Sequence, residues 1–219
     1  MERRVRHPQT GEMRFPEYIA VDDDGNILVS AWNSDFVYLY DESGNFLFKF
    51  GGMRSSEGQL KRPFGICTDS SGHIIVADSG NKRVQIFTRL GEFVRTVSTG
   101  HHFRGIAVNV RTSHVLITDA DQGEVLVFRP DGSLVRTVRY SLAGEIKRPR
   151  YITVDGEGNI LVSDYNSNSV YVYDESGKFP FQFGGLGSGE GQLNGPRGIC
   201  TNRLGHIIVA DSRNKRVQI

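Results

Sequence analysis

The chain has 219 residues, 38% of them hydrophobic, with 26 Gly against 7 Pro and a formal net charge of only +1. This composition suits a turn-dense all-β globule, and no apolar stretch approaches the ~20 residues needed to span a bilayer. MERRVRHPQTG at the start lacks the apolar core of a signal peptide, so no membrane association is expected.

Residues 15–86 and 148–219 agree at 49 of 72 positions at an offset of 133, with ICT and GHIIVADS in both copies. A chain that repeats itself in this way is a repeat architecture. The match continues leftward, since Arg3, Val5, Arg6, Gly11, Glu12 and Pro16 recur as Arg136, Val138, Arg139, Gly144, Glu145 and Pro149. A shorter unit lies inside each copy: Ile19, Ile66, Ile106, Ile152 and Ile199 are separated by 47, 40, 46 and 47 residues. That period is the range of propeller blades.

In chain order, residues 1–14 read as the fourth strand of a preceding or closing blade plus a connector. Blade 1 spans 15–61, blade 2 spans 62–101, blade 3 spans 102–147, blade 4 spans 148–194, and a partial blade 5 spans 195–219. Each unit reads as four short strands, typified by GICTD, HIIVAD, RVQIF and EFVRTV in blade 2. Period-two alternation, Val/Ile/Tyr/Phe enrichment and Gly/Asn/Asp/Ser punctuation argue strand throughout. No window carries a helical period. The expected fold is therefore all-β, a β-propeller of four-stranded antiparallel blades with about five blades in this chain.

Cys67 and Cys200 occupy the same position of equivalent units and read as small buried hydrophobes. Equivalent sites in separate blades are not expected to meet at the roughly 6 Å Cα spacing of a disulfide. A reduced, cytoplasmic setting is favoured.

The segment PFGICTDSSGHIIVADSGNKRVQIFTRLGEF (63–93) resembles the NHL repeat, whose pattern is P.GI.VD..GNI.VAD..N.R.Q.F...G. Units 1, 4 and 5 are similar to it nearly as well; unit 3 departs, with Asn109, Ser113 and Gln122 where Asp, Gly and Asn would stand. The connector FGGLGSGEGQLNGPRGI resembles connectors of the tripartite-motif (TRIM-NHL) proteins. The resemblance implies a propeller that usually has six blades and follows an N-terminal RING finger, B-box and coiled coil. No zinc-ligand spacing or heptad run of that kind occurs in this sequence. Two 133-residue copies would make 266 residues, 47 more than are present. The preferred reading is part of a six-bladed ring; the alternative is a five-bladed ring sealed by residues 1–7 pairing with 215–219.

Residues that recur within the chain are read as architecture. Asp78, Asp119, Asp164 and Asp211 end the second strand, where a carboxylate can accept hydrogen bonds from the following turn. Asn81, Asn166, Asn214, His73 and His206 belong to the same class. Propeller lyases and hydrolases group His and carboxylates around a central channel, but only His101 and His102 lie on a suitable loop here. Adjacent side chains on an extended backbone point in opposite directions, so that pair is a poor chelate. GGLGSGEG (184–191) has no following helix and is not a phosphate loop. No catalytic residue, metal ligand or cofactor is expected.

Sorting loops by the face from which they emerge places many Lys and Arg on one side and Asp22, Asp23, Asp24, Asp41, Asp69 and Asp155 on the other. The candidate binding residues on the basic side are Trp32, Arg62, Phe64, Arg104, Arg148, Arg150, Tyr151, Tyr165 and Arg197. Two functions are open. One is a protein partner or ubiquitination substrate held by aromatic anchors, as a substrate-recognition module of a ubiquitin-protein ligase. The other is single-stranded RNA, with cations on phosphates and aromatic rings on bases; several TRIM-NHL propellers bind RNA on the corresponding face. The two copies differ at Trp32 against Tyr165, Glu17 against Arg150 and Phe64 against Arg197, so discrimination is sought there.

Overall fold

Short runs such as IIVAD place an apolar side chain on both faces of a strand, and each run ends at Gly, Asn or Asp. A strand of that kind is stable only between two other layers. In the computed structural model of the chain, residues 13–139 and 146–219 are described, and they form nineteen strands.

Blade 1 contains β1 (Pro16–Val21), β2 (Ile27–Ala31), β3 (Phe36–Tyr40) and β4 (Phe46–Gly51). Blade 2 contains β5 (Pro63–Thr68), β6 (Ile74–Asp78), β7 (Arg83–Phe87) and β8 (Phe93–Thr99). Blade 3 contains β9 (Phe103–Asn109), β10 (His114–Asp119), β11 (Glu124–Phe128) and β12 (Leu134–Val138). Blade 4 contains β13 (Pro149–Val154), β14 (Ile160–Asp164), β15 (Ser169–Tyr173) and β16 (Phe181–Gly184). Blade 5 contains β17 (Pro196–Thr201), β18 (Ile207–Asp211) and β19 (Arg216–Gln218). In every sheet, consecutive strands are neighbours. The fold is the all-β propeller architecture that the sequence implies, with five blades in this chain. Among the described residues there is no helix long and apolar enough to cross a membrane.

The chain divides into two compact units, Met1–Phe103 and Arg104–Ile219. In the first, Leu28, Val37, Leu39 and Phe50 of blade 1 pack against Ile66, Ile74, Val76 and Phe87 of blade 2. In the second, Leu116, Val125 and Val127 of blade 3 pack against Ile152, Ile160, Val162 and Tyr173 of blade 4. Blades 1 and 3 thus each turn an outgoing face to the next blade, and blades 2 and 4 an incoming face to the one before. Each Leu, Ile or Val removed from water in these layers contributes about 1.5–3 kcal/mol.

A polar clasp explains the Asn, Arg and Gln of the repeat. Arg83 Nε donates to Asp78 Oδ2 at 2.8 Å, while its terminal nitrogens donate to the carbonyls of Ser55, Ser56 and Gln59. Gln85 donates to Gln59 O and accepts from Gly58 N, and Asn81 bridges Asp78 and Arg54 O. The connector after β4 is therefore folded by side chains of the next blade. Asp211, Asn214, Arg216 and Gln218 repeat the arrangement on the connector of residues 187–192.

The recurring aspartates split in their use. Asp119 and Asp164 accept from the turn that follows, as the sequence suggests, and Asp164 Oδ2 accepts as well from Lys147 N and Arg148 N before it. Asp78 and Asp211 reach back instead, to Lys61 N and Asn194 N, each at 2.7 Å. Both cysteines are free, and Cys200 is exposed rather than a buried hydrophobe. Its twin Cys67 is half-buried.

Candidate recognition site

The first strand of four blades carries a bulge immediately after its proline. Pairing slips between Pro16 and Tyr18, Pro63 and Ile66, Pro149 and Tyr151, and Pro196 and Ile199. A bulge turns its side chain out of the ordinary alternation. The residues it redirects are Glu17, Phe64, Arg150 and Arg197, and Arg104 holds the same place in blade 3. The second-strand serine of the preceding blade fixes this backbone: Ser30 Oγ donates to Phe64 O, and Ser163 Oγ donates to Arg197 O at 2.6 Å.

In the second unit this builds a row of arginines. β13 lies beside β17. β9 approaches β13 so closely that a Cβ on Gly105 would sit 2.8 Å from Arg150 O. Arg104, Arg150 and Arg197 are all half-buried, so their stems pack while the charged ends compete for few positions.

Tyr165, at the turn between β14 and β15, is where the charges gather. The guanidinium carbons of Arg150 and Arg213 lie 4.8 Å from its ring centre and that of Arg197 lies 5.8 Å away. Each is within cation–π range. Gly195 makes the approach possible, since a Cβ there would meet Tyr165 Cε2 at 3.0 Å and Arg213 Cδ at 3.1 Å.

The first unit holds a smaller version. Arg62 lies 4.9 Å from the Trp32 ring, its N–H donating to Asp35 Oδ1 at 2.7 Å. Arg62 and Asp35 both adopt positive φ, 49° and 58°, which aims the arginine back over the indole.

Of the nine candidate residues, Arg150, Tyr165 and Arg197 come together, Arg104 stands in line with them, and Trp32 and Arg62 form a separate pair. Arg148 is exposed, with its N–H donating to Asp164 Oδ2 at 2.9 Å; no contact places its guanidinium on Tyr165. Phe64 and Tyr151 are corrections, being only 2% and 6% exposed. Phe64 is redirected by its bulge into the core, because an aromatic ring gains more from burial than from solvent. Tyr151 follows the bulge and faces inward. Arg213 was outside the nine. Its signal was available in the duplication, where its twin is Gly80.

The family model described as "NHL repeat" matches residues 60–87 and 193–219. Those two segments carry both copies of the aspartate–arginine clasp. The chain carries NHL repeats. Among the relatives of these repeats, "Protein brain tumor" of Drosophila melanogaster is 27% identical over 176 residues, covering 80% of this chain and 13% of that protein. "E3 ubiquitin-protein ligase TRIM71" of Xenopus tropicalis is 54% identical over 44 residues, covering 20% of this chain and 5% of that protein. "Protein lin-41" of Caenorhabditis elegans is 50% identical over 48 residues, 22% of this chain and 4% of that protein. The NHL chain thus spans a small part of these relatives' length. They bear out the resemblance to TRIM-NHL proteins.

Among solved structures, virginiamycin B lyase from Staphylococcus aureus superposes with a TM-score of 0.74 at 15% identity, covering 95% of this chain and 67% of that one. The WD40 β-propeller domain of Doa1 gives 0.70 at 17% identity, covering 90% and 60%. At such identities the likeness is one of fold alone.

Proposed function

We propose that this NHL chain is a non-catalytic recognition module that holds single-stranded RNA along the arginine row of blades 3 to 5. The observation that carries this reading is the gathering of Arg150, Arg197 and Arg213 around Tyr165. Guanidiniums gathered at one ring concentrate positive charge, and the phosphates of a single strand supply anions in a row. A ring among them offers a base a stacking surface. Both cysteines being free thiols is in keeping with a cytoplasmic setting.

The test is retention of a randomised RNA pool by the purified chain, followed by a salt titration. Affinity is expected to fall with salt at a log–log slope of about −0.7 per phosphate contacted. Absence of retention at low ionic strength overturns the reading.

A second reading rests on a different observation. Met53 and Leu186, twins in the connectors, are 74% and 69% exposed. Exposed apolar side chains at matching positions suit a protein partner, such as a ubiquitination substrate of a ligase whose RING finger would lie outside this sequence. Binding of that kind would be little affected by salt.

A further inference from the structure

One position of the repeat has the same backbone in all five blades. The residue directly before each third strand is left-handed: Asp35, Lys82, Gly123, Asn168 and Lys215 have φ of 58°, 54°, 67°, 57° and 54°. Gly, Asn and Asp enter that region at the least cost. Asp35 and Asn168 also use their side chains there, accepting from the N–H of Arg62 at 2.7 Å and of Gly195 at 2.8 Å. Lysine offers neither advantage. It nevertheless stands at this position in blades 2 and 5, exposed in both. Backbone strain of this kind points to a residue present for its side chain.

The main chain of Lys82 closes its turn, the N–H donating to Ser79 O at 3.2 Å and the carbonyl accepting from Gly100 N at 2.7 Å. Its ammonium group pairs with no carboxylate among the described residues. The turn is seated on the connector that precedes blade 2. Gly80 N–H donates to Lys61 O at 2.8 Å, and a Cβ on Gly80 would sit 2.7 Å from Lys61 Cγ. Asn81 Nδ2 donates to Arg54 O at 3.0 Å. Arg62 follows Lys61 and lies over Trp32, whose ring is 36% exposed.

Charge on this surface has one sign. Arg54, Lys61, Arg62 and Lys82 are all exposed, and Glu57 is the one carboxylate of the connector. Asp35 is engaged by Arg62 N, and Asp78 by Lys61 N, Asn81 and Arg83. Exposed cations that track a backbone, with an aromatic ring beside them for a base, suit a single strand.

We propose that Lys61, Arg62 and Lys82 form a phosphate-binding site within the first unit, with Lys82 held in left-handed backbone to present its ammonium group, and that the ligand is the backbone of single-stranded RNA. This rests on the RNA reading above and adds a site apart from the arginine row of the second unit.

Lys82→Gly tests it, because Gly123 already holds the same φ in blade 3. The variant should keep a urea midpoint no lower than the parent's, since glycine enters this region freely. Its affinity for a randomised RNA pool should fall, and the log–log salt slope should shrink by about 0.7. Combined with Arg213→Gly, the slope should shrink by about 1.4. Lys82→Arg keeps the charge and should restore the parent slope. RNA retained by the parent with a slope that Lys82→Gly leaves unmoved overturns this site and leaves the arginine row standing. No retention of RNA by the parent removes both. A slope that falls only together with the urea midpoint, and that Lys82→Arg does not restore, makes Lys82 a structural residue and also overturns the proposal.

Discussion

The guanidinium of Arg213 rests 4.8 Å from the centre of the Tyr165 ring, on the side that Gly195 leaves vacant. Arg213 is exposed and its twin is Gly80, so the charge can be removed by writing one copy into the other. Arg213→Gly should weaken RNA binding uniformly across sequences and reduce the salt slope by about 0.7. Fluorescence anisotropy at several salt concentrations measures both. An unchanged slope would mean that Arg213 meets no phosphate.

Tyr165 allows a second separation. Tyr165→Ala removes a stacking surface worth about 1–3 kcal/mol per base, a loss of roughly 5- to 150-fold in affinity. Tyr165→Trp introduces the residue of the other copy, where Trp32 coexists with Arg62 at 4.9 Å, and should bind close to the original level. If Tyr165→Ala binds as well as the parent, the ring only spaces the arginines.

The blades were legible because their signal is local: strand alternation, turn glycines and the recurrence of Asp, Asn, Arg and Gln all lie within a few residues. That arginines share one loop type was legible too, as a pattern of charge. Phe64 and Tyr151 were not, because loop assignment by period cannot see a bulge, and one extra residue decides whether a side chain enters the core. Arg213 was missed for the opposite reason. It neighbours Tyr165 only through Gly195, a contact between residues 30 apart in sequence. The comparison of copies would have found it, as Gly80 of one copy becomes a charge in the other.

The clasp predicts unequal costs for equivalent substitutions. Arg83 is 11% exposed beside an Asp78 with no exposure, whereas Arg216, beside Asp211, is 32% exposed. Removing one partner of a buried pair costs about 3–5 kcal/mol, because the other charge is left unpaired. Arg83→Ala should approach that range, and it also frees the carbonyls of Ser55, Ser56 and Gln59. Arg216→Ala should cost less, since water can reach its place. Urea denaturation of both variants measures the difference, and equal midpoints would deny the clasp its dependence on burial.

The same pair of aspartates should respond oppositely to pH. At Asp211 burial works to raise the carboxyl, but Asn194 N–H, Asn214, Arg216 and Gln218 outweigh it and hold the group below the usual carboxylate range. At Asp78 burial wins over a similar set of donors and pushes the group up. Both carboxylates are shielded from solvent, but Arg83 beside Asp78 is 11% exposed and Arg216 beside Asp211 is 32% exposed, so Asp78 has the denser surroundings. A lowered group stabilises the fold above its unfolded value of about 3.9 and loses that contribution as pH falls through its folded value. A raised group contributes below its unfolded value and loses the contribution as pH rises through its folded value. The stability gap between the parent and Asp211→Asn should therefore narrow as pH drops from 7 towards about 3. The gap between the parent and Asp78→Asn should widen over the same interval. Urea midpoints across that range decide it: parallel gaps would mean that the two clasps share one electrostatic environment.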